Sequence, residues 1–351
     1  MAGMQASRAI CGFPQRVPGE AQGHPVQQPP PLGYIVRPGD EEMPLPYAFT
    51  SLTVRSFPLE ADVTKIQAMC DRYLNIAPPE TLEYRPLGGL VFMQVATYKS
   101  LSSGSDPEGF FSENEISFNV LLARGRRVNG VWQASDLAFY FPYIYVDNPW
   151  AIATGREVFG YPKAWSRLDI PEDPTHAAPV RLETMVLPVL GRGTKLTLLP
   201  LIEIDMHPEG RLQGMLHEVE NLAIAAKDYL LGHDGLLAEM DRSLFREVIH
   251  AITEGRIPIV SLKQYRDTVS PNQACYQAIV SAVMRITKRH GGGLLRGRYS
   301  VKIHDYASTQ IVQDLGLKLS ADGTIEPRGA YWISFDCTYG EGENLYMVKQ
   351  Q

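Results

Sequence analysis

Segments with strand-forming composition dominate the chain between residues 46 and about 210, and they constrain the fold more than any other feature. "YAFTSLTVRSFPL" and "GGLVFMQVATY" alternate or run apolar and are rich in β-branched and aromatic residues, which is typical of strands. "ENEISFNVLLA" and "DLAFYFPYIYVD" form a predicted hairpin, because Asn129-Gly130 between them has the composition of a tight turn. Together these segments predict a large β-sheet.

The remaining segments add helices and further strands. The apolar residues of "VTKIQAMCDRYLN" and "NQACYQAIVSAVMRIT" have helical spacing, so each segment is predicted as one helix. Residues 215–252 have the pattern of a helical hairpin that packs its apolar stripe on the sheet. Strands return at "IPIVSLKQYRD" and near the C-terminus. The predicted fold class is therefore α+β, with a large mixed or antiparallel β-barrel and peripheral helices.

The first 45 residues form a separate N-terminal tail in this prediction. Nine prolines lie between Pro14 and Pro46, and "GHPVQQPPPLG" has no apolar period of either kind. Such a segment buries too little surface to offset the entropy lost on ordering, so we expect it to be disordered or extended. The folded part is predicted as one domain over residues 46–345, with the helical hairpin as an insertion.

Composition excludes several classes of function. The 33 Lys+Arg against 39 Asp+Glu give a net charge of −6, which argues against general nucleic-acid binding. The chain has neither an apolar run long enough for a membrane span nor the apolar core of a signal peptide. The histidines lack metal-ligand spacing, so no metal is expected. The four cysteines are far apart and form no C-x-x-C pair, so a reducing, cytoplasmic location is predicted.

The segment "YIYVDNPWAIATGREVFGYPKAW" contains the residues with the clearest chemical potential. Lys163 follows Gly-Tyr-Pro and precedes Ala-Trp, surroundings that favour partial burial. Burial lowers the pKa of a lysine, and lowering it from about 10.4 to about 7 costs ~4–5 kcal/mol. The neutral amine then attacks carbonyl carbon and forms a Schiff base. The alternative is a surface lysine whose stem lies on Trp165 and whose ammonium stays in water.

This segment resembles the motif of the acetoacetate decarboxylase family. The matching residues are Asp147-Asn148, Ile152-Ala153, Gly155-Arg156-Glu157 and Gly160-Tyr161-Pro162-Lys163. The resemblance implies a β-barrel fold, a homo-oligomer and a cofactor-free lyase that decarboxylates a small β-keto acid, with Lys163 as the Schiff-base lysine. It covers residues 46–205 and 256–340, so the tail and the helical hairpin are additions to the family core.

Two positions depart from the family's decarboxylases. Ala164 stands where they carry a second lysine, and Leu52 stands where an arginine faces the substrate carboxylate. Arg55 is three residues further on, so in a regular strand it points to the other face. These departures keep two alternatives open: aldol condensation and dehydration of pyruvate-like keto acids through the same imine, or ligand binding without catalysis.

The resemblance also implies a glutamate on a strand before the motif. Glu113 and Glu115 both qualify, and as residues i and i+2 they point to one face, where either could act as acid or base. The alternative is a pair of solvated acids at a hairpin edge. Arg156 is the candidate for binding a substrate carboxylate, although an ion pair with Glu157 is the competing structural role.

Tyr161 and Trp165 complete the predicted substrate-binding residues. Both are aromatic and flank the lysine in sequence. They are expected to form walls of the substrate pocket.

Overall fold

The computed structural model describes residues 33–35, 41–104, 109–173, 175–207 and 255–348. The predicted helical hairpin at 215–252 and most of the predicted tail lie outside these residues. Within them the chain is mostly β-sheet with few helices. None of the described helices is long and apolar enough to cross a membrane.

The described residues form thirteen strands, numbered in chain order. These are β1 (Tyr47–Glu60), β2 (Glu83–Pro86), β3 (Leu90–Ser103), β4 (Phe110–Val128), β5 (Val131–Val146), β6 (Lys163–Asp169), β7 (Val180–Val186), β8 (Thr197–His207), β9 (Arg256–Arg266), β10 (Ala274–Leu294), β11 (Arg298–Ile303), β12 (Tyr331–Tyr339) and β13 (Glu343–Met347). The helices are α1 (Val63–Tyr73), α2 (Pro149–Thr154) and α3 (Ile311–Leu315), and α2 continues into a π-helical turn at Gly155–Phe159.

Backbone pairing joins all thirteen strands into one mixed sheet. Strands β5, β9, β10, β12, β1, β3 and β4 pair in that order, and β4 pairs again with β5, so these seven form a ring of pairings. Strands β6, β7, β8 and β11 extend the sheet from β5. The pairs β5–β6 and β5–β9 are parallel, and the other pairs are antiparallel. The predicted mixed sheet is confirmed.

Several local predictions are also confirmed. The hairpin of β4 and β5 turns at Asn129 (φ 52°) and Gly130 (φ 80°), the positive angles that this kind of tight turn requires. The predicted first helix is α1, which begins after Asp62, whose side chain accepts a hydrogen bond from the Thr64 amide.

The helix predicted at 272–287 is wrong, because this segment lies in β10. Strand β10 pairs with β9, β12 and β13. Ala278, Ile279 and Val280 are consecutive and all buried, so both faces of the strand are covered. A strand buried on both faces lacks the alternation that distinguishes it from a helix in sequence.

Strand β4 has two buried faces of opposite chemistry. Its apolar face carries Ile116, Phe118, Val120 and Leu122, which are buried in one large hydrophobic cluster. Its polar face carries Glu113, Glu115, Ser117 and Asn119, which are equally buried.

The pairing of β1 with β3 and of β3 with β4 shows which β1 residues share the polar face of β4. Leu52 pairs with Tyr98 of β3, which in turn pairs with Glu113. The register of β1 slips only against β12, between Phe49 and Leu52, where Ser51 has φ 54°. Because directly paired residues point to the same face of a sheet, Leu52 lies on the side of the glutamates.

Candidate active site

Lys163 is the first residue of β6 and lies between two buried carboxylates. Its Nζ is 3.4 Å from both carboxylate oxygens of Glu113 and 3.4 Å from Oε2 of Glu115. Lys163 is 9% exposed, and the two glutamates are 3% and 6% exposed. The three predicted catalytic side chains are thus in one place, and neither glutamate is a solvated acid at a hairpin edge.

Strand register explains how residues fifty positions apart meet. Glu115 of β4 pairs with Val146 of β5, and Lys163 of β6 pairs with Ile144 of β5. Because paired residues share a face, Lys163 and the polar face of β4 lie on the same side of the sheet. The parallel β5–β6 pair follows from the short connection through α2 and the π-helical turn.

The first two residues of the motif hold the segment that carries the glutamates. The carboxylate of Asp147 accepts hydrogen bonds from the backbone N and the side-chain Nδ2 of Asn114, both at 2.8 Å. Asn148 donates to the carbonyl of Ser112 at 2.9 Å and accepts from the amide of Trp150 at 2.9 Å, which caps α2. The motif therefore fixes the start of β4 and the helix before the lysine at the same time.

Gly155 makes room for the stem of Lys163. A Cβ at this position would lie 2.9 Å from Cδ and 3.1 Å from Cε of the lysine, closer than ordinary contacts allow. The backbone of Gly155 is αR, with φ −67°, so its conformation does not require glycine. The space for the lysine side chain is what requires glycine here.

The π-helical turn is held by three alternate side chains of β9. Tyr265 donates to the carbonyl of residue 157 at 2.7 Å, Lys263 donates to that of residue 158 at 3.1 Å, and Ser261 donates to that of residue 159. Gly160 then ends the turn with φ 73°, a left-handed angle that glycine adopts without strain. The turn that precedes Lys163 is therefore held in place by hydrogen bonds from β9 to its carbonyl groups.

Burial and the charges of the site change the pKa values of Lys163 and Glu113. Burial by itself lowers the pKa of Lys163, but the charges of Glu113 and Glu115 and their hydrogen bonds outweigh burial, so this pKa is raised above its ordinary value. Burial raises the pKa of Glu113 to about 7, and the charge of Glu115 adds to the increase while Lys163 opposes it. The resting lysine is an ammonium beside a carboxyl group that titrates near neutrality.

This result corrects an expectation from the sequence. We expected burial to be the main influence on Lys163 and to lower its pKa. The structure places two carboxylates against Nζ, and the pKa is raised instead. Burial alone therefore does not make the Lys163 amine neutral.

Tyr98 is a site residue that the sequence analysis did not single out. It pairs with Glu113 across β3 and β4, and burial raises its pKa well above the ordinary value, with further contributions from the charges of Glu115 and Glu113. Nothing in the sequence indicates this position, because the register of β3 with β4 had to be known first.

The predicted substrate-binding residues occupy different surroundings. Tyr161 stacks on Phe159, with ring centroids 5.2 Å apart, and burial raises its pKa. Trp165 is 40% exposed. Arg156 is exposed, and its Nη1 donates to the carbonyl of Lys163 at 3.2 Å. The contact of Arg156 supports the backbone at the lysine.

Leu52, which departs from the family's decarboxylases, and the nearby Arg55 lie on opposite faces of β1. Leu52 is 1% exposed and lies on the face of the glutamates. Arg55 lies on the opposite face, where its Nη2 donates to the carbonyls of Pro171 at 2.6 Å and Asp173 at 2.9 Å. The guanidinium of Arg55 is thus turned away from Lys163.

In the described residues, the carboxylate of Glu157 forms no ion pair with Arg156. Its Oε2 accepts a hydrogen bond from Tyr265 at 3.1 Å. In the part of the chain that the structure describes, no group of three or more His, Cys, Asp or Glu side chains is arranged to hold a metal ion.

The fold is mostly β-sheet, and the motif of residues 147–163 places a buried lysine between two buried carboxylates. This combination defines a class of β-sheet proteins with a lysine at the candidate site. The family model for acetoacetate decarboxylase matches residues 36–347. The chain belongs to the acetoacetate decarboxylase family.

Solved structures have the same fold at low sequence identity. Acetoacetate decarboxylase from Legionella pneumophila matches with a TM-score of 0.52 and 16% identity, over 86% of this chain and 88% of that one. A second acetoacetate decarboxylase structure matches with a TM-score of 0.50 and 18% identity, over 88% and 93% of the two chains. A search of curated protein sequences gave no match.

Proposed function

We propose that this protein is a cofactor-free carbon–carbon lyase that acts on a small keto compound through an imine on Lys163. The observation that carries the proposal is the position of the lysine, buried with Nζ at 3.4 Å from two carboxylates. Family membership supports the same chemistry, because Lys163 occupies the motif position that the resemblance assigns to the Schiff-base lysine.

The glutamates supply the proton transfers that imine formation needs. A carboxylate first takes a proton from the Lys163 ammonium, and the neutral Nζ adds to the carbonyl carbon. The resulting carbinolamine accepts a proton on oxygen, and water leaves as the C=N bond forms. Glu113, with a pKa of about 7, can hold or release a proton near neutrality.

Decarboxylation of an acetoacetate-like substrate is the first candidate for the next step. The bond to the carboxylate carbon breaks, its electron pair enters the iminium to give an enamine, and CO2 leaves. A protonated Glu113 or Glu115 then protonates the enamine carbon, and water releases the ketone. This step should release CO2 from acetoacetate.

Aldol condensation followed by dehydration is the second candidate, because it keeps the imine and releases no CO2. The family resemblance expects an arginine that binds the substrate carboxylate of a decarboxylase, and the residue at that position is the buried Leu52. The same imine and the same acid–base pair perform an aldol step, in which a pyruvate-like donor and an aldehyde give an unsaturated product. Product analysis separates the two candidates.

Borohydride reduction tests the shared step. The folded protein is incubated with 2,4-pentanedione, acetoacetate or pyruvate, reduced, and analysed by intact mass and peptide mapping. A reduced adduct on Lys163, absent from Lys163→Arg, is the expected result. Absence of an adduct with all three probes from pH 5 to 9 would overturn the proposal and leave a ligand-binding member of the family without catalysis.

Four further features remain to be tested, and the family resemblance implies two of them, the barrel and the homo-oligomer. We propose that the ring of seven paired strands is the predicted barrel. The homo-oligomer, the single domain over residues 46–345 and the cytoplasmic location stay predictions.

A further inference from the structure

The charge balance of the site is negative when both glutamates are ionised. Lys163 contributes one positive charge, whereas Glu113 and Glu115 contribute two negative ones. After Lys163, the charges that act most strongly on Glu113 are those of Glu115 and Asp147, which are both negative. Because these groups are buried, little solvent screens their repulsion of a further anion.

The sheet next to the glutamates presents an apolar wall. The row that contains Glu113 continues across β3, β1 and β12 as Tyr98, Leu52 and Phe335. Since directly paired residues on one face lie about 5 Å apart, Leu52 is two steps, or about 10 Å, from Glu113. Leu52 and Phe335 therefore line the same side of the sheet as Glu113.

The neighbouring row has the same character. Glu115 pairs with Ala96 of β3, and Ala96 pairs with Val54 of β1. Ala96 and Val54 are 2% and 9% exposed, and both belong to the hydrophobic cluster that includes Leu52 and Phe335. Among these described wall residues there is no cation, and the Tyr98 hydroxyl is the one side-chain hydrogen-bond donor.

We propose that the site selects neutral carbonyl compounds with an apolar substituent and discriminates against keto acids. The inference rests on the imine chemistry proposed above, and it moves the preferred substrate from the keto acids named there to neutral carbonyl compounds. A neutral substrate adds no charge to the site. The iminium that it forms carries one positive charge, which replaces the positive charge of the Lys163 ammonium beside the two carboxylates. A keto acid instead places a third carboxylate beside the first two, against an apolar wall.

A neutral substrate also changes the bond that breaks. In a neutral β-hydroxy ketone, a carboxylate of the site takes the hydroxyl proton, the bond between the α and β carbons breaks, and its electron pair enters the iminium. An aldehyde leaves, and the enamine is protonated and hydrolysed to the ketone. The step is a retro-aldol cleavage, and its reverse is an aldol addition.

Acetoacetate and acetoacetamide form a matched pair of probes, because they have nearly the same size and differ by one charge. The measurement is the rate of borohydride-trapped adduct formation on Lys163 at pH 8, with both the complete adduct and the isopropyl adduct left by decarboxylation counted for acetoacetate. We expect acetoacetamide to react at least about tenfold faster with the unchanged protein. Equal rates, or a faster reaction with acetoacetate, would overturn the inference.

A variant at position 52 tests the wall itself. Leu52→Arg should reduce or reverse the preference for the amide, whereas Leu52→Met, which keeps the wall apolar, should leave the preference unchanged. Loss of the preference in Leu52→Met would contradict the inference that charge causes the preference for the amide. If neither probe forms an adduct with the unchanged protein, the proposed imine chemistry itself fails, so the two failures are distinguishable.

Discussion

The two faces of β4 are equally buried, yet one packs in the hydrophobic core and the other carries the carboxylates of the candidate site. The apolar face places Ile116, Phe118 and Leu122, all 0% exposed, in the main hydrophobic cluster. The polar face buries two carboxylates against one lysine, and the hydroxyl of Ser117 has no hydrogen-bond partner among the described residues. Burying such groups is unfavourable, and the apolar face one residue away offsets that cost. Alternation along a single strand thus separates the two roles.

Replacing Lys163 should have the largest effect, and that effect should fall on activity. Lys163→Arg keeps a positive charge between the glutamates, but a guanidinium stays protonated and does not form the imine. We expect no trapped adduct and a Tm within about 3 °C of the unchanged protein. Mass spectrometry and thermal unfolding measure the two quantities. The exposed Lys302→Arg is the matched control, and an adduct that persists in Lys163→Arg would place the reactive amine elsewhere.

Phe118→Ala should show the opposite pattern. Phe118 is 0% exposed and meets Tyr143 edge to face, with centroids 6.4 Å apart. Its truncation leaves a cavity in the apolar cluster and should lower the free energy of unfolding by about 3–5 kcal/mol. Urea unfolding measures that loss, and the 68% exposed Phe110 supplies the control Phe110→Ala. A large drop in adduct formation by the still-folded protein would show that the two faces are not separable.

Gly155→Ala should affect the geometry of the lysine without affecting the fold. The added methyl group displaces the Lys163 stem, and a misplacement of about 1 Å can cost about 100-fold in rate. Adduct formation should therefore fall by roughly that factor while the circular dichroism spectrum is unchanged. Gly88→Ala is the control, because a Cβ at Gly88 meets nothing within 4 Å. An unaffected rate would mean that the lysine stem has room to move.

The smallest expected effect is a shift in pH dependence. The reactive form, with neutral Lys163 and protonated Glu113, has the same number of protons as the form that predominates above the Glu113 pKa of about 7. Adduct formation should therefore rise with pH up to about 7 and level off above it. Glu113→Gln removes this base and should move the rise to higher pH, whereas exposed Glu80→Gln should not. A rate that falls between pH 6 and 8 would contradict this assignment.

Sequence alone was sufficient for the strands whose two faces differ and for the residues of the motif. The β4–β5 hairpin was predictable because Asn129-Gly130 indicates a tight turn and the alternation of apolar and polar residues in β4 indicates its two faces. Segment 272–287 was not, because β10 is buried on both faces and only its neighbours in the sheet show that it is a strand. The same limit applies to Tyr98, whose place beside Glu113 depends on the pairing of β3 with β4 and on the register shift that follows Tyr98.

The sequence could not predict that the pKa of Lys163 is raised, because this too depends on how the strands pair. Burial and charge act on a lysine in opposite directions, so the outcome depends on distances of a few ångströms. The sequence placed Glu113 and Glu115 on one strand, but their approach to Nζ depends on the register of β5 with both β4 and β6.

The contacts between β9 and the π-helical turn have a consequence for the newly made chain. All three reactive side chains, Lys163, Glu113 and Glu115, precede residue 164, but the strand that holds the carbonyls of residues 157–159 begins at Arg256. A ribosome that has reached residue 207 has therefore made every reactive group and none of the strand that fixes their approach. The amine acquires its final placement only when the last third of the polypeptide has been synthesised and has joined the sheet.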